Sequence, residues 1–353
     1  LRPEIRPFIL GRPQVRQGRL LELQGRVSDL RAEIGAAGAT VDQAEAALNK
    51  QLFEVESAPL WRALGRPDRG ATLVQAMRQA QREAARDVGD FLARPGPLWT
   101  HLALVILLGL ALVAVRRPVA ALAAGDELIR RAVKALSRPA SAALLLSALW
   151  LEWLFPSLSP TVRDLLFVAV LVPLLRLLRV LVPDPFRAPL YGLAALFALD
   201  RLAGMAPPRT LLARLAVLAV TGGALLGLLR GLRRGGWARF APAGTWGLAT
   251  RGAVAAALAL LSTSLVSNLV GNATLAERLT RATLSSATLA AVLLGAQIVL
   301  AGVTAALLHA PALQRRPLVA RHRDLLRRRA AWLFRLGGVA LWAVGTARAF
   351  GVA

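Results

Sequence analysis

The sequence predicts an all-α, polytopic membrane protein, with about eight transmembrane helices behind an N-terminal helical coiled-coil region. Three observations carry that prediction. Hydrophobic residues make up 56% of the 353 residues, charged residues only 18%, and the mean hydropathy is +0.53. A soluble chain of this length has too little interior to hide so much apolar surface. Runs near twenty apolar residues recur, the length a helix needs to cross a bilayer. Residues 1–96 differ: they are polar, with apolar side chains at heptad spacing. Together these features exclude an ordinary soluble enzyme, a disordered chain and a secreted disulfide scaffold. The chain has no cysteine, so it holds no disulfide, thiolate metal site or cysteine nucleophile.

In the polar region, Leu20, Leu23, Val27, Leu30 and Ile34 fall at 3-4-3-4 spacing. A looser version resumes at Val41, Ala44, Leu48, Leu52 and Val55. The pattern predicts a coiled-coil hairpin or one long helix, with Gly35-Ala36-Ala37-Gly38 as the hairpin turn because glycine disfavours helix. Pro59 and Pro67 mark a break before another helix over about Thr72–Leu92, and Pro95-Gly96-Pro97 closes the region. The domain boundary is therefore drawn between 1–96 and 97–353.

Eight spans are expected at about 98–115, 140–155, 162–182, 188–206, 210–229, 246–267, 284–308 and 331–350. Asp200 and Arg201 interrupt the fourth. Charge between the spans fixes their direction. With the N-terminal region outside, the inner segments 116–138, 176–187, 230–251 and 315–335 hold 22 Arg and Lys, against 7 on the outer side. Positive charge stays on the cytoplasmic side, so residues 1–97 are expected in the periplasm of a bacterial inner membrane. Trp99, Trp150, Trp153, Trp246 and Trp332 lie near span ends, where amphipathic rings prefer the headgroup layer, whereas Trp342 lies deeper and faces a neighbouring helix. Residues 118–136 place Leu122, Ile129, Val133 and Leu136 on one face and predict an interfacial amphipathic helix; residues 315–330 read the same way, more basic. The chain begins at Leu1 without an apolar leader and stops directly after an apolar run, so both ends are expected to be cuts in a longer product.

The net charge of +24 invites a nucleic-acid reading, but residues 1–96 contribute only +3 and the excess lies in loops between apolar runs. No nucleic-acid partner is expected. The Arg315–Arg335 cluster reads as topogenic and lipid-phosphate-binding. Phosphate-loop and zinc-protease motifs are absent from the sequence, and His101, His309 and His322 lie apart with no second histidine at ligand spacing. No catalytic, cofactor or metal residue is assigned. Four carboxylates fall in or near spans: Glu152, Asp164, Asp200 and Glu277. Such a group can serve a proton relay, but their places at span edges favour solvated or locally paired charges. Arg176 and Arg179 are too few for a voltage sensor and read as snorkelling to inner phosphates. Gly223, Gly227 and Gly231, and again Ala287, Ala291 and Gly295, make small-residue faces for close helix packing. Pro173 is the one clear helix-breaker candidate inside a span, and Asn272-Ala273-Thr274 matches a glycosylation sequon.

The order of parts carries a resemblance. A coiled-coil region precedes many spans. The sixth span runs into Ser267-Asn268-Leu269-Val270-Gly271-Asn272, with Leu275-Ala276 after it. The seventh leads to Arg315-Arg316-Pro317 through Arg327-Arg328-Arg329. The eighth begins Ala331-Trp332 and carries Leu341-Trp342 before Phe350-Gly351. This layout resembles the N-terminal region of the large, multi-span members of the MscS-like mechanosensitive channel superfamily, the potassium-efflux or MscK type. The superfamily's Gly/Ala-ridged pore helix and cytoplasmic β domain have no counterpart in 1–353, so no pore-lining residue is carried over. The resemblance implies a homo-heptamer that passes inorganic ions and osmolytes during hypo-osmotic shock, with these helices as a tension-sensing paddle in contact with membrane lipids. A secondary transporter or permease, with a midplane polar site and broken helices, is the alternative, followed by a membrane scaffold. Enzymatic activity is not expected, because no nucleophile, base and metal ligands converge.

Overall fold

A computed structural model describes residues 21–40, 55–64, 70–93, 95–121, 127–155, 158–182, 184–206, 210–233, 245–309, 315 and 317–352. Every regular element among them is a helix, and no strand occurs among them. The chain divides into two compact units, 1–54 and 55–353.

In the first unit, residues 21–40 form one uninterrupted helix, α1. The expected turn at Gly35–Gly38 is not there. Each glycine costs a helix only about 1 kcal/mol relative to alanine, and three alanines among residues 36–39 favour continuation. Arg26 and Glu22 pair one turn apart at 2.9 Å, and the Thr40 hydroxyl donates to the Ala37 carbonyl at 2.7 Å. The second seam, from Val41 to Leu52, lies outside the described residues.

The second unit opens with a short extended segment and α2 (Leu60–Ala63), then α3 (Gly70–Leu92), close to the range expected. The membrane-type helices follow. They are α4 (Pro95–Ala121), α5 (Glu127–Leu136), α6 (Pro139–Ala148), α7 (Leu151–Leu154), α8 (Pro160–Leu181), α9 (Asp184–Ala203), α10 (Leu211–Arg233), α11 (Thr245–Val270), α12 (Ala273–His309) and α13 (Pro317–Phe350). Five of them are long and apolar enough to cross a membrane: α4, α10, α11, α12 and α13. The expected second span is two short helices broken at Leu149–Trp150; α6, with 10 residues, reaches about 15 Å, half the hydrocarbon thickness. Helices α8 and α9 are long enough, with 22 and 20 residues, but carry Arg163, Asp164, Arg176 and Arg179, and Asp184, Arg187, Asp200 and Arg201. Pro173 does not break α8. The helix runs through it with the ring buried, after a Ser159 cap whose hydroxyl accepts from Val162 N–H, and Pro160 in the first turn.

Helix α12 is the hub. It packs against α4, α5, α6, α8, α9, α10, α11 and α13. About half of its membrane-length stretch is buried, against 6% for α4 and for α13. Small residues set its approaches. Gly295 sits 2.9 Å, measured from an ideal Cβ, from a Leu145 methyl of α6, and beside Leu177 of α8. Gly302 leaves just enough room for Ala132 of α5. That contact bears on the amphipathic helix expected over 118–136, of which 127–136 are a separate helix, α5. Ala132, Ala135 and Leu136 are fully buried against protein, while Arg130, Arg131 and Lys134 are exposed. Ala132, Ala135 and Leu136 of α5 thus pack on protein, because two small residues let the backbones meet. Of the glycine face on α10, Gly223 meets Leu196 of α9, whereas a side chain at Gly227 would enter open space.

The basic stretch and the last expected span form one 34-residue helix, α13, kinked at His322 (φ −118°, ψ 20°). Its seam with α12 again uses glycine: a Cβ at Gly338 would run into Gln297, and one at Gly345 into Leu289. Ser286 and Thr346 hydroxyls lie 2.9 Å apart, and the Trp342 indole donates to the Ser286 carbonyl at 3.2 Å. The deeper tryptophan does face a neighbouring helix. Trp99, Trp150 and Trp332 are more than half exposed.

Candidate functional site

Most of the buried polar side chains described in the second unit gather around the first half of α12, in two clusters. The first joins α8, α9 and α12. Arg201, at the end of α9, donates to Asp164 Oδ1 of α8 at 2.7 Å and to the Ser285 hydroxyl of α12. Its guanidinium carbon lies 5.5 Å from the Phe167 ring centre and 4.8 Å from that of Phe197. The cation is therefore held by a carboxylate, a hydroxyl and two aromatic faces in a water-poor site. Its sequence neighbour Asp200 is 3% exposed and turns toward Arg281 of α12, at 3.7 Å. That distance makes an ion pair, not a hydrogen bond, and Asp200 Oδ2 has no hydrogen-bond partner. Arg281 also pairs with Glu277 one turn away at 2.9 Å. Gly204 makes this possible, since a Cβ there would run into the Arg281 guanidinium. Three carboxylates and two arginines leave one negative charge in excess.

The second cluster joins α10, α11, α12 and the segment before α2. Arg214 is 4% exposed and has carbonyl acceptors on two sides. It donates to the Asn268 main-chain carbonyl at 2.7 Å and to the Ala58 carbonyl at 2.8 Å. The Asn268 amide donates back to the Arg214 carbonyl at 2.9 Å. Asn268 lies in the last turn of α11, so the guanidinium satisfies an orphan helix carbonyl and meets the negative end of the helix dipole. Beside it, three hydroxyls form a ladder through the helix interfaces. Ser264 lies 2.7 Å from Thr280, Thr280 lies 2.7 Å from Thr221, and Ser264 also meets the Ala276 carbonyl. Such bonds hold membrane helices together where no hydrophobic difference drives association.

Between α11 and α12 the chain stops one helix and starts the next within two residues. Gly271 adopts φ +113°, a conformation that side-chain-bearing residues rarely take, and Asn272 Oδ1 caps α12 by accepting from Leu275 N–H at 3.0 Å. The sequon asparagine is thus 7% exposed and already committed to a helix cap. The Ser57 amide and hydroxyl both donate to the Gly271 carbonyl, at 3.2 and 2.8 Å, and Thr274 donates to Glu56 at 2.7 Å. These bonds fasten residues 56–58 across the α11–α12 corner.

Of the sequence-derived candidates, Asp164, Asp200 and Glu277 come together; they are paired, and Asp200 is buried, not solvated. The Glu152 side chain lies outside the described residues. Arg176 and Arg179 are exposed at the opposite end of α8. The histidines stay apart: His101 lies tilted against Phe155 with ring centres 6.0 Å apart, His309 bonds the Ala305 carbonyl, and His322 is exposed at the kink. No group of three metal-ligating side chains forms among the described residues. The Arg214–Asn268 pair, the hydroxyl ladder and the Gly338/Gly345 seam escaped the sequence reading. The signal for the first was present: an arginine and an asparagine inside apolar runs each require a partner. No protein-family model, curated protein or solved structure matches the chain.

Proposed function

We propose that this chain is the tension-sensing membrane region of a bacterial mechanosensitive channel of the MscS-like kind. In this reading it sits in the inner membrane with residues 1–97 on the periplasmic side, and α8, α9 and the α6–α7 pair complete the expected eight passes. The observation that carries the reading is the uneven burial of the membrane helices. About half of the membrane-length stretch of α12 is buried, against 6% of those of α4 and α13, which pack on the bundle along one side only. In this reading, peripheral helices packed on one side only can change tilt by shifting along a single seam, such as the glycine seam of α13 on α12. Bilayer tension favours whichever arrangement covers more membrane area, so stretch shifts the population toward it. The 22 inner positive charges hold that side of the paddle to anionic headgroups.

The test is patch-clamp of the full-length protein in liposomes under stepwise suction. Tension-gated unitary currents are expected, with a threshold that moves when Gly338 and Gly345 are both replaced by leucine. Silent patches holding inserted, oligomeric protein would sink the proposal. One observation favours a second reading, a proton- or ion-coupled transporter: Asp200 is buried among three helices with one carboxylate oxygen lacking a hydrogen bond. Uptake in vesicles that is lost in Asp200→Asn, with no tension response, would select it.

A further inference from the structure

The helix of the first unit, as far as the described residues 21–40 go, leaves an apolar stripe exposed. Leu23, Val27, Leu30 and Ile34 are 59%, 48%, 56% and 69% exposed, though they form a continuous apolar stripe. A twenty-residue helix in water is marginal without tertiary packing, and Gly25, Gly35 and Gly38 weaken this one further. Something must cover the stripe. Charge argues against an anionic bilayer: residues 21–40 carry two arginines and three carboxylates, with no excess of positive charge. Heptad geometry instead fits a second helix of the same kind, with Val27 and Ile34 at a, Leu23 and Leu30 at d, Gln24 and Arg31 at e, and Arg26 and Glu33 at g.

The flanking charges choose the direction. In a parallel pair, g of one chain meets the following e of the other, which sets Arg26 against Arg31 on both sides. In an antiparallel pair, g meets g, and Arg26 of each chain meets Glu33 of the other. The same register stacks Leu23 on Ile34 and Val27 on Leu30 of the second copy, four closed apolar layers. We infer that residues 21–40 pair with the same segment of a second copy of this chain, as a two-stranded antiparallel coiled coil sealed by reciprocal Arg26–Glu33 ion pairs. Each seam is used once, so the device ties chains two by two, whatever larger assembly the membrane unit forms.

The chain has no cysteine, which makes the test direct. Full-length Leu23→Cys and Ile34→Cys chains, carrying different tags, are co-expressed in membranes and mildly oxidised. The mixed disulfide should exceed either homodisulfide at least fivefold, and a Ser28→Cys control on the outer face should cross-link no more than background. Arg26→Glu should cut the mixed product severalfold, and Arg26→Glu with Glu33→Arg should restore it. Homodisulfides without the mixed product would mean a parallel coil and overturn the proposal. So would the absence of any cross-link, which would leave the stripe to the chain's own residues 41–54 or to lipid. Cross-linking is read at rest, without tension or current, so its outcome is separate from that of the channel reading.

Discussion

The two ends of the helical bundle use arginine in opposite ways. At one end Arg201, Arg214 and Arg281 are fixed by named partners from other helices or from the adjacent turn, two of them nearly out of reach of solvent. At the other, Arg116, Arg117, Arg176, Arg179, Arg230, Arg233 and the run from Arg321 to Arg329 are mostly exposed. The first arrangement is specific: an arginine there is worth what its partners would lose without it. The second is a field, in which total charge matters more than position. One residue type thus serves as an internal tie at one end and as a surface potential at the other.

The largest effects are expected from breaking a tie. Arg201→Leu strands Asp164 and removes the donor to Ser285. Leaving a buried charge uncompensated costs about 3–5 kcal/mol, so the detergent-solubilised protein should show a large fall in thermal midpoint. Arg201→Leu combined with Asp164→Leu should recover much of that loss. Next comes the α11–α12 corner. Gly271→Ala forces a side chain into φ +113° and into the Ser57 carbonyl, a strain of about 1–3 kcal/mol. Hydrogen exchange should rise in residues 56–58 and in the first turn of α12 before it rises elsewhere. Gly302→Leu lies between the two ends in kind, because it overfills the contact with Ala132. A cost of about 1–3 kcal/mol is expected, with α5 becoming sensitive to protease from the basic side. The smallest effect on stability belongs to the basic end. Arg323→Gln, Arg328→Gln and Arg329→Gln together should change it by less than about 0.5 kcal/mol per site. The same triple variant should weaken attachment to anionic bilayers by about 1 kcal/mol per charge near the surface, read from salt-dependent protection of α13 in vesicles of differing anionic-lipid content. A large stability loss there would erase the contrast between the ends.

The helices themselves were largely legible, because an apolar run of span length has few other fates. The break at Leu149–Trp150 was not, since periodicity carries no mark of where a run of sixteen apolar-rich residues gives way. The ties were hidden for a different reason. Asp200 and Arg201 are neighbours in sequence, and reading them as a local pair is natural. Yet one side chain turns to α12 and the other to α8, 37 residues back. Successive residues on a helix point about 100° apart, so adjacent charges address different partners. The turn expected at Gly35–Gly38 failed because two glycines in an alanine-rich stretch weaken a helix without a residue that bars it.

Helix α12 has 37 residues and is therefore about 55 Å long, whereas the hydrocarbon layer is about 30 Å thick. Its two halves divide that length unevenly in chemistry. From Leu289 to His309 the side chains are almost all apolar, and 21 residues reach about 31 Å. From Ala273 to Thr288 they include Glu277, Arg278, Arg281 and six Ser or Thr hydroxyls, over about 24 Å. The apolar half alone matches the hydrocarbon thickness, so a bilayer fitted to it would leave the other half standing out as a post. In that placement the charged ties would sit around the foot of the post, at the water boundary. There a carboxylate and a guanidinium are tolerable, and residues 56–58 are within reach to lash the emerging shaft to its neighbours.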